Sequence, residues 1–393
     1  AVTESDETNN YGSSAPACAF TPSTLPFSPV KEWGWETSSV LPDYHNVMMT
    51  PVVADLDGDG APEVLFTSFL GGNYGSDGIL RAVSGADGRE AFSVTDTAHR
   101  LTPSASLAVG DIDRDGLPEI VACQPGRLIA FEHDGTFKWQ NPTSPAFEDC
   151  GWGGPALADL DGDGSPEIVV GRQVFNANGT LRWTGTGGRS GVYGPLSLVA
   201  DLDMDGTPEI VAGNTAYRAD GSIYWRNTSV PDGFNAIGNF DDDPFPEVVV
   251  VSSGVRLLEH DGIVKWGPIG HPGGGGGPPT VADFDGDGQP EIGVAGASRY
   301  AVFETNGTVK WSTLTDDSSS QVTGSSVFDF EGDGAAEVIY GDQRTLRVYR
   351  GTTGAVLVEI PNSSCTTYEN PVIADADADG NAEILFVANT TCG

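Results

Sequence analysis

Positive charge is what this chain has least of: 19 Lys and Arg face 56 Asp and Glu in 393 residues, a formal charge of −37. Phosphate backbones are bound by clustered cations, so a nucleic-acid partner is excluded. Apolar runs are short as well. None approaches the ~18 residues of a membrane span. The five histidines (His45, His99, His133, His260, His271) form no recognisable triad, and G-x-S-x-G, H-E-x-x-H and P-loop motifs are missing, so no residue is assigned a catalytic role. Five cysteines are too scattered for a zinc site and point instead to disulfides in an oxidising compartment. With Ala1 in place of an initiator Met, a secreted protein after signal-peptide cleavage is expected, extracellular or at the cell surface.

Acid is abundant, and it is organised. Asp55-Leu56-Asp57-Gly58-Asp59-Gly60-Ala61-Pro62-Glu63 recurs with variations at Asp111, Asp159, Asp201, Asn239, Asp283, Asp329 and Asp375, at spacings of 56, 48, 42, 38, 44, 46 and 46 residues. Carboxylates at positions 1, 3, 5 and 9 of a tight, Gly-containing loop are the hard oxygen donors that Ca²⁺ takes, roughly 6 to 8 at a time with carbonyls and water. The expected ligands are Asp55, Asp57, Asp59 and Glu63; Asp111, Asp113, Asp115 and Glu119; Asp159, Asp161, Asp163 and Glu167; and Asp201, Asp203, Asp205 and Glu209. The second half adds Asn239, Asp241, Asp243 and Glu247; Asp283, Asp285, Asp287 and Glu291; Asp329, Glu331, Asp333 and Glu337; and Asp375, Asp377, Asp379 and Glu383, for up to eight ions. The fifth loop should be the weakest, because Asn239 is neutral and Pro244 stands where Gly would supply a positive φ. An EF-hand would end in a helix with Glu at position 12. Here Glu is at 9 and runs into Val64-Leu65-Phe66 or Ile120-Val121-Ala122, which are strand text.

D-x-D-x-D-G-x-x-E between two apolar strands resembles the calcium-binding FG-GAP/VCBS repeats, found also in the integrin α-subunit head, and the likeness runs from about residue 25 onward. The resemblance implies an all-β β-propeller with four-stranded antiparallel blades and a calcium loop between the first and second strand of each. Eight motifs favour eight blades, with seven as the alternative.

Along the chain, residues 1–24 read as a polar tail and 25–393 as one propeller domain. Repeat one predicts strands at Pro51 to Ala54, Val64 to Phe66, Ile79 to Val83 and Glu90 to Val94. The last two flank Asp87-Gly88, a type I′ turn signal that returns at Asp134-Gly135, Asn178-Gly179, Asp220-Gly221, Asp261-Gly262 and Asn306-Gly307. A Trp follows five of these turns (Trp139, Trp183, Trp225, Trp266, Trp311) and is expected to pack between blades. The eighth repeat is too short for two outer strands. Residues of about 27–37, where Lys31-Glu32-Trp33 echoes Lys138-Trp139, are expected to complete that blade as a strand and remove its open edge.

Candidate ligand-binding residues are Tyr44, His45, Trp152, Tyr193, Phe234, His271 and Tyr368, which precede first strands and should gather on one face, together with the insertion from Thr67 to Gly78. Cys123 should pair with Cys150, and Cys18 with Cys392 to staple the ring; alternatively Cys365 takes Cys392 and frees Cys18 for self-assembly. Asn178, Asn227, Asn306, Asn362 and Asn389 head glycosylation sequons. The functional expectation is a secreted, calcium-stabilised binding or structural surface protein, lectin-like or part of an extracellular assembly, whose partner is a glycan or an extracellular protein. The alternative is a polysaccharide lyase acting on acidic glycans.

Overall fold

The computed structural model describes residues 27–389 apart from 145, 192 and 197; the tail, Cys18 and Cys392 lie outside them. In the first repeat Val52–Ala54 pairs with Glu63–Leu70, which pairs with Ile79–Ser84, which pairs with Glu90–Ser93, all antiparallel. The second strands are apolar throughout because both faces are covered: Glu119–Gln124 is buried at every position. Val121, Leu128 and Ala130 of the second repeat pack on Ile168, Val170 and Phe175 of the third, and similar clusters join other neighbours. First strands stand side by side around the axis, Ala108–Gly110 lying between Val52–Ala54 and Ala156–Ala158. This is an all-β propeller.

Seven sheets have four strands or more, so the eight-blade expectation is corrected to its alternative of seven. The first is widened to five strands by Tyr44–Val47, which pairs with the extended second strand. The eighth repeat supplies only a two-stranded sheet, Val372–Ala374 with Glu383–Leu385. Residues 27–37 do not form the expected strand. Pro29 has no N–H for a ladder and Gly34 weakens a strand interior. The segment is held by its side chains instead. Trp33 donates its indole N–H to Gly85 O at 2.5 Å, and Trp33 and Trp35 pack on the core of the first sheet.

Trp33 thereby does what the blade-closing tryptophans do. Trp183, Trp266 and Trp311 donate to Ala219 O (3.0 Å), Thr305 O (2.8 Å) and Gly351 O (2.5 Å) in the hairpin of the following blade. The ring lies so close to the hairpin glycine that a Cβ on Gly179 would stand 2.5 Å from Trp139. The turns themselves correct the type I′ expectation. Gly135 has φ +81° but Asp134 is not left-handed, and the ladder shifts register between Ala130 and Phe131. This is a type I turn followed by a left-handed glycine in a bulge. Asp134 is held there because its carboxylate accepts from Thr136 N at 2.9 Å.

Candidate functional site

Because strands alternate in direction, the acidic loops and the hairpins fall at one end of the ring and the loops leading into first strands at the other. In the first acidic loop Asp55 Oδ1 accepts from Gly58 N at 2.8 Å, Oδ2 from Gly60 N at 2.9 Å, and Asp59 Oδ1 from Ala61 N at 2.8 Å. These bonds curl the chain and turn the carboxylates inward. Oxygens of Asp55, Asp57 and Asp59 lie within 4.8 Å of one another, as do those of Asp111, Asp113 and Asp115. Ligand distances of ~2.3–2.6 Å to Ca²⁺ place opposed oxygens about this far apart, so the donor set fits a hard cation.

The Glu at position 9 has a second duty. In all eight loops its Oε2 accepts from the backbone N–H of position 2: Leu56 (3.1 Å), Ile112 (2.8 Å), Leu160 (2.9 Å), Leu202 (2.9 Å), Phe240 (2.6 Å), Phe284 (2.7 Å), Phe330 (3.2 Å) and Ala376 (2.7 Å). Each position-2 side chain is buried, so the Glu ties the loop's apolar anchor to its acidic rim. Burial pushes Glu291, Glu337 and Glu383 up to about 7. Glu291 Oε1 is buried with no hydrogen-bond partner and lies 3.7 Å from Lys310 Nζ.

The fifth loop solves its irregularity internally. Elsewhere Oδ2 of position 1 takes the N–H of position 6, as at Gly116 (3.0 Å) and Gly334 (2.8 Å). Pro244 has no N–H to give. Asn239 instead supplies a donor of its own, its Nδ2 donating to Asp243 O at 2.8 Å. In the seventh loop the longer Glu331 reaches Arg350 at 3.9 Å.

At the opposite end the loops are zipped edge to edge. Ser104 N donates to Tyr74 O, Ser106 N to Gly153 O and Trp152 N to Tyr193 O. Tyr368, from the loop leading into the eighth repeat, crosses to the far side. Its hydroxyl accepts from Tyr193 N at 2.7 Å and its ring stands edge-on to Phe234, centroids 5.2 Å apart. Of the ligand-binding candidates, Phe234, His271 and Tyr368 are buried and fill the inside of this face. His271 Nε2 faces Val294 O at 3.0 Å while Nδ1 accepts from Gly273 N at 3.1 Å, and burial lowers its pKa, so the ring is neutral. Tyr44 is half-buried, bonded to Asp77 (2.8 Å) under the Arg100 guanidinium, and His45 is exposed at the rim. What remains open is Trp152 with Tyr74, centroids 5.3 Å apart, and Tyr193, which is 52% exposed. The insertion supplies Tyr74, the one member of this group not singled out by its position in a repeat.

Beside this plug sits Glu369, buried, accepting from Ser364 Oγ at 2.6 Å. Burial, reinforced by nearby Asp317, pushes its carboxyl up to about 7. A carboxyl raised above its unfolded value costs nothing below about pH 4.5, where it is protonated in both states, and destabilises increasingly as pH rises to about 7. Glu369→Gln should therefore leave stability unchanged near pH 4 and raise it at pH 8 by on the order of 3 kcal/mol. Denaturant midpoints of the two proteins at both pH values check this, and an equal difference at the two sinks it.

Cys123 and Cys150 are disulfide-bonded with Cα atoms 6.3 Å apart, tying the second sheet to the loop that leads into the third. Cys365 is also disulfide-bonded; its partner, like the expected Cys18–Cys392 staple, lies outside the described residues. Of the sequons, Asn178 and Asn306 are exposed on hairpin tips, Asn227 and Asn362 are half-buried and Asn389 is buried. No helix among the described residues is long and apolar enough to cross a membrane.

Ladder and loops together define a class: a β-propeller of repeats closed by acidic turns. The FG-GAP-like repeat family matches residues 55–122, 111–170 and 283–340, and the chain belongs to the β-propellers built from FG-GAP-like repeats. Among solved structures it is similar to the V. cholerae biofilm matrix protein Bap1, with 23% identity and a TM-score of 0.78 over 91% of this chain and 87% of that one. It is similar also to the exotype rhamnogalacturonan lyase YesX (19%, TM-score 0.62, 87% of this chain and 70% of that one) and a Bacillus licheniformis rhamnogalacturonan lyase (21%, 0.59, 87% and 70%). At these identities the likeness is one of fold. No curated protein sequence matches the chain.

Proposed function

We propose that this protein is an extracellular, calcium-stabilised propeller that binds polysaccharide as a surface or matrix component. Tyr74, Trp152 and Tyr193 carry the reading: half-open rings on a face braced from beneath by Tyr368 and Phe234 offer flat apolar surface to sugar rings at little cost in ordering. The acidic loops at the opposite end take Ca²⁺, up to eight ions, and stiffen the scaffold. The Cys123–Cys150 bond agrees with an oxidising compartment, and a matrix protein of the same fold agrees with an extracellular role.

The rival reading, a lyase on acidic glycans, draws on the rhamnogalacturonan lyases that share the fold. One assay separates the two. With intact acidic and neutral polysaccharides, binding without release of unsaturated oligosaccharides supports the matrix role, and their release overturns it. Trp152→Ala should weaken binding at least ~10-fold, as loss of one aromatic stacking partner of ~1.5 kcal/mol requires, and Tyr74→Ala, at a ring 43% exposed, should do so with the melting temperature nearly unchanged. Equal affinity in Trp152→Ala and Tyr74→Ala variants would place the binding surface elsewhere.

A further inference from the structure

Five consecutive acidic loops, the second to the sixth, hold a basic side chain from the outer part of their own blade. Lys138 Nζ is 2.6 Å from Asp113 and 3.1 Å from Glu119. Arg182 spans Asp161 (2.8 Å) and Glu167 (2.7 Å), and Arg218 spans Asp203 (2.9 Å) and Glu209 (3.1 Å). Lys265 bonds Asp241 and lies 3.5 Å from Glu247; Lys310 bonds Asp285 and lies 3.7 Å from Glu291. In every case the cation bridges positions 3 and 9. The remaining loops differ. Among the described residues no Lys, Arg or His nitrogen comes within 4.0 Å of a carboxylate of the first or eighth loop, and in the seventh Arg350 touches only Glu331, at 3.9 Å. The cause is in the chain: Ala91 and Leu357 stand where the second blade has Lys138, and the eighth repeat has no outer strands.

Those three loops are neighbours across the closure of the ring. Gly85 N donates to Pro62 O of the first loop, and a Cβ on Gly85 would stand 1.8 Å from Ala376 O of the eighth, so the two loops meet on one glycine. Asn370 N donates to Thr50 Oγ1 at 3.0 Å across the same seam.

We propose that the ring is held by two supplies of positive charge: its own Lys and Arg in loops two to six, and bound divalent metal in loops one, seven and eight, so that losing the metal opens the propeller at its closure. This rests on the calcium reading above. Where a bridging ammonium or guanidinium already faces positions 3 and 9, carboxylate repulsion is relieved without an ion; where none bridges them, the ion supplies the missing counter-charge. The five cation-bearing blades stay folded as a block, since each packs mainly on its neighbours.

The test is peptide-resolved hydrogen exchange on the full chain in calcium and in excess EDTA, with native mass spectrometry counting bound ions. Segments 44–70, 329–341 and 372–387 should exchange at least ~10-fold faster in EDTA, and segments of the second to sixth blades less than ~2-fold faster. Equal acceleration in all eight loops of a chain that does bind calcium overturns this proposal alone. No bound calcium and no response anywhere overturns the calcium reading with it. In Lys138→Met, the second loop should become as EDTA-sensitive as the first while staying protected in calcium, and Lys138→Arg should restore insensitivity. A Lys138→Met protein whose second loop ignores calcium also overturns it.

Discussion

Excess EDTA should lower the onset of thermal unfolding by about 10 °C, and readded calcium should restore it. The magnitude follows from mass action. An ion held at one hundred times its Kd stabilises by about 2.7 kcal/mol, so three dependent loops contribute ~8 kcal/mol. For a chain of this size one kcal/mol moves the midpoint by ~1–2 °C, extrapolating from smaller domains. That ~8 kcal/mol already contains the repulsion of the carboxylates left behind, about 1 kcal/mol per pair at ~4 Å even in water. Differential scanning calorimetry in calcium, EDTA and calcium restored after EDTA measures it. A midpoint indifferent to chelator after prolonged dialysis defeats the calcium reading.

Removing the Tyr368 ring should be the most damaging single substitution on the face opposite those loops. The ring is 2% exposed, leans on Phe234 and accepts the Tyr193 backbone N–H, so one side chain from the incomplete eighth repeat braces the fourth and fifth blades across the axis. Tyr368→Ala should cost ~3–5 kcal/mol, the range for losing a buried aromatic, and should weaken polysaccharide binding because Trp152 packs on the same cluster. Tyr368→Phe keeps the ring and loses the hydroxyl, so ~1–3 kcal/mol is expected. Denaturant midpoints of the two variants decide it: a Tyr368→Ala loss below that of Tyr368→Phe would mean that the ring is not what closes this face.

The repeat was legible because its signals are local. A β-turn glycine, an alternating carboxylate and an apolar strand each act within a few residues, and eight copies compound them. Less was legible where partners lie far apart. Lys138 was visible as half of a Lys-Trp doublet, but its targets, Asp113 and Glu119, become neighbours only after the hairpin at Asp134-Gly135 folds the outer strand back over the sheet. The apolar residue at position 2, from Leu56 to Ala376, was also in plain text in every loop. Its pairing with the position-9 Glu shows only once the loop is closed.

From the residues alone follow the all-β repeat, the eight acidic loops and the hairpin glycines, because short-range sterics and turn chemistry leave little choice, and the Cys123–Cys150 pairing, because neighbouring repeats bring the two together. Only the tertiary structure decided the blade count, the fate of residues 27–37 and which aromatic rings stay open. Ring closure sets those, since an angular step repeated around an axis brings the eighth repeat against the first and Tyr368 against Phe234, and no local pattern encodes where the last sheet meets the first.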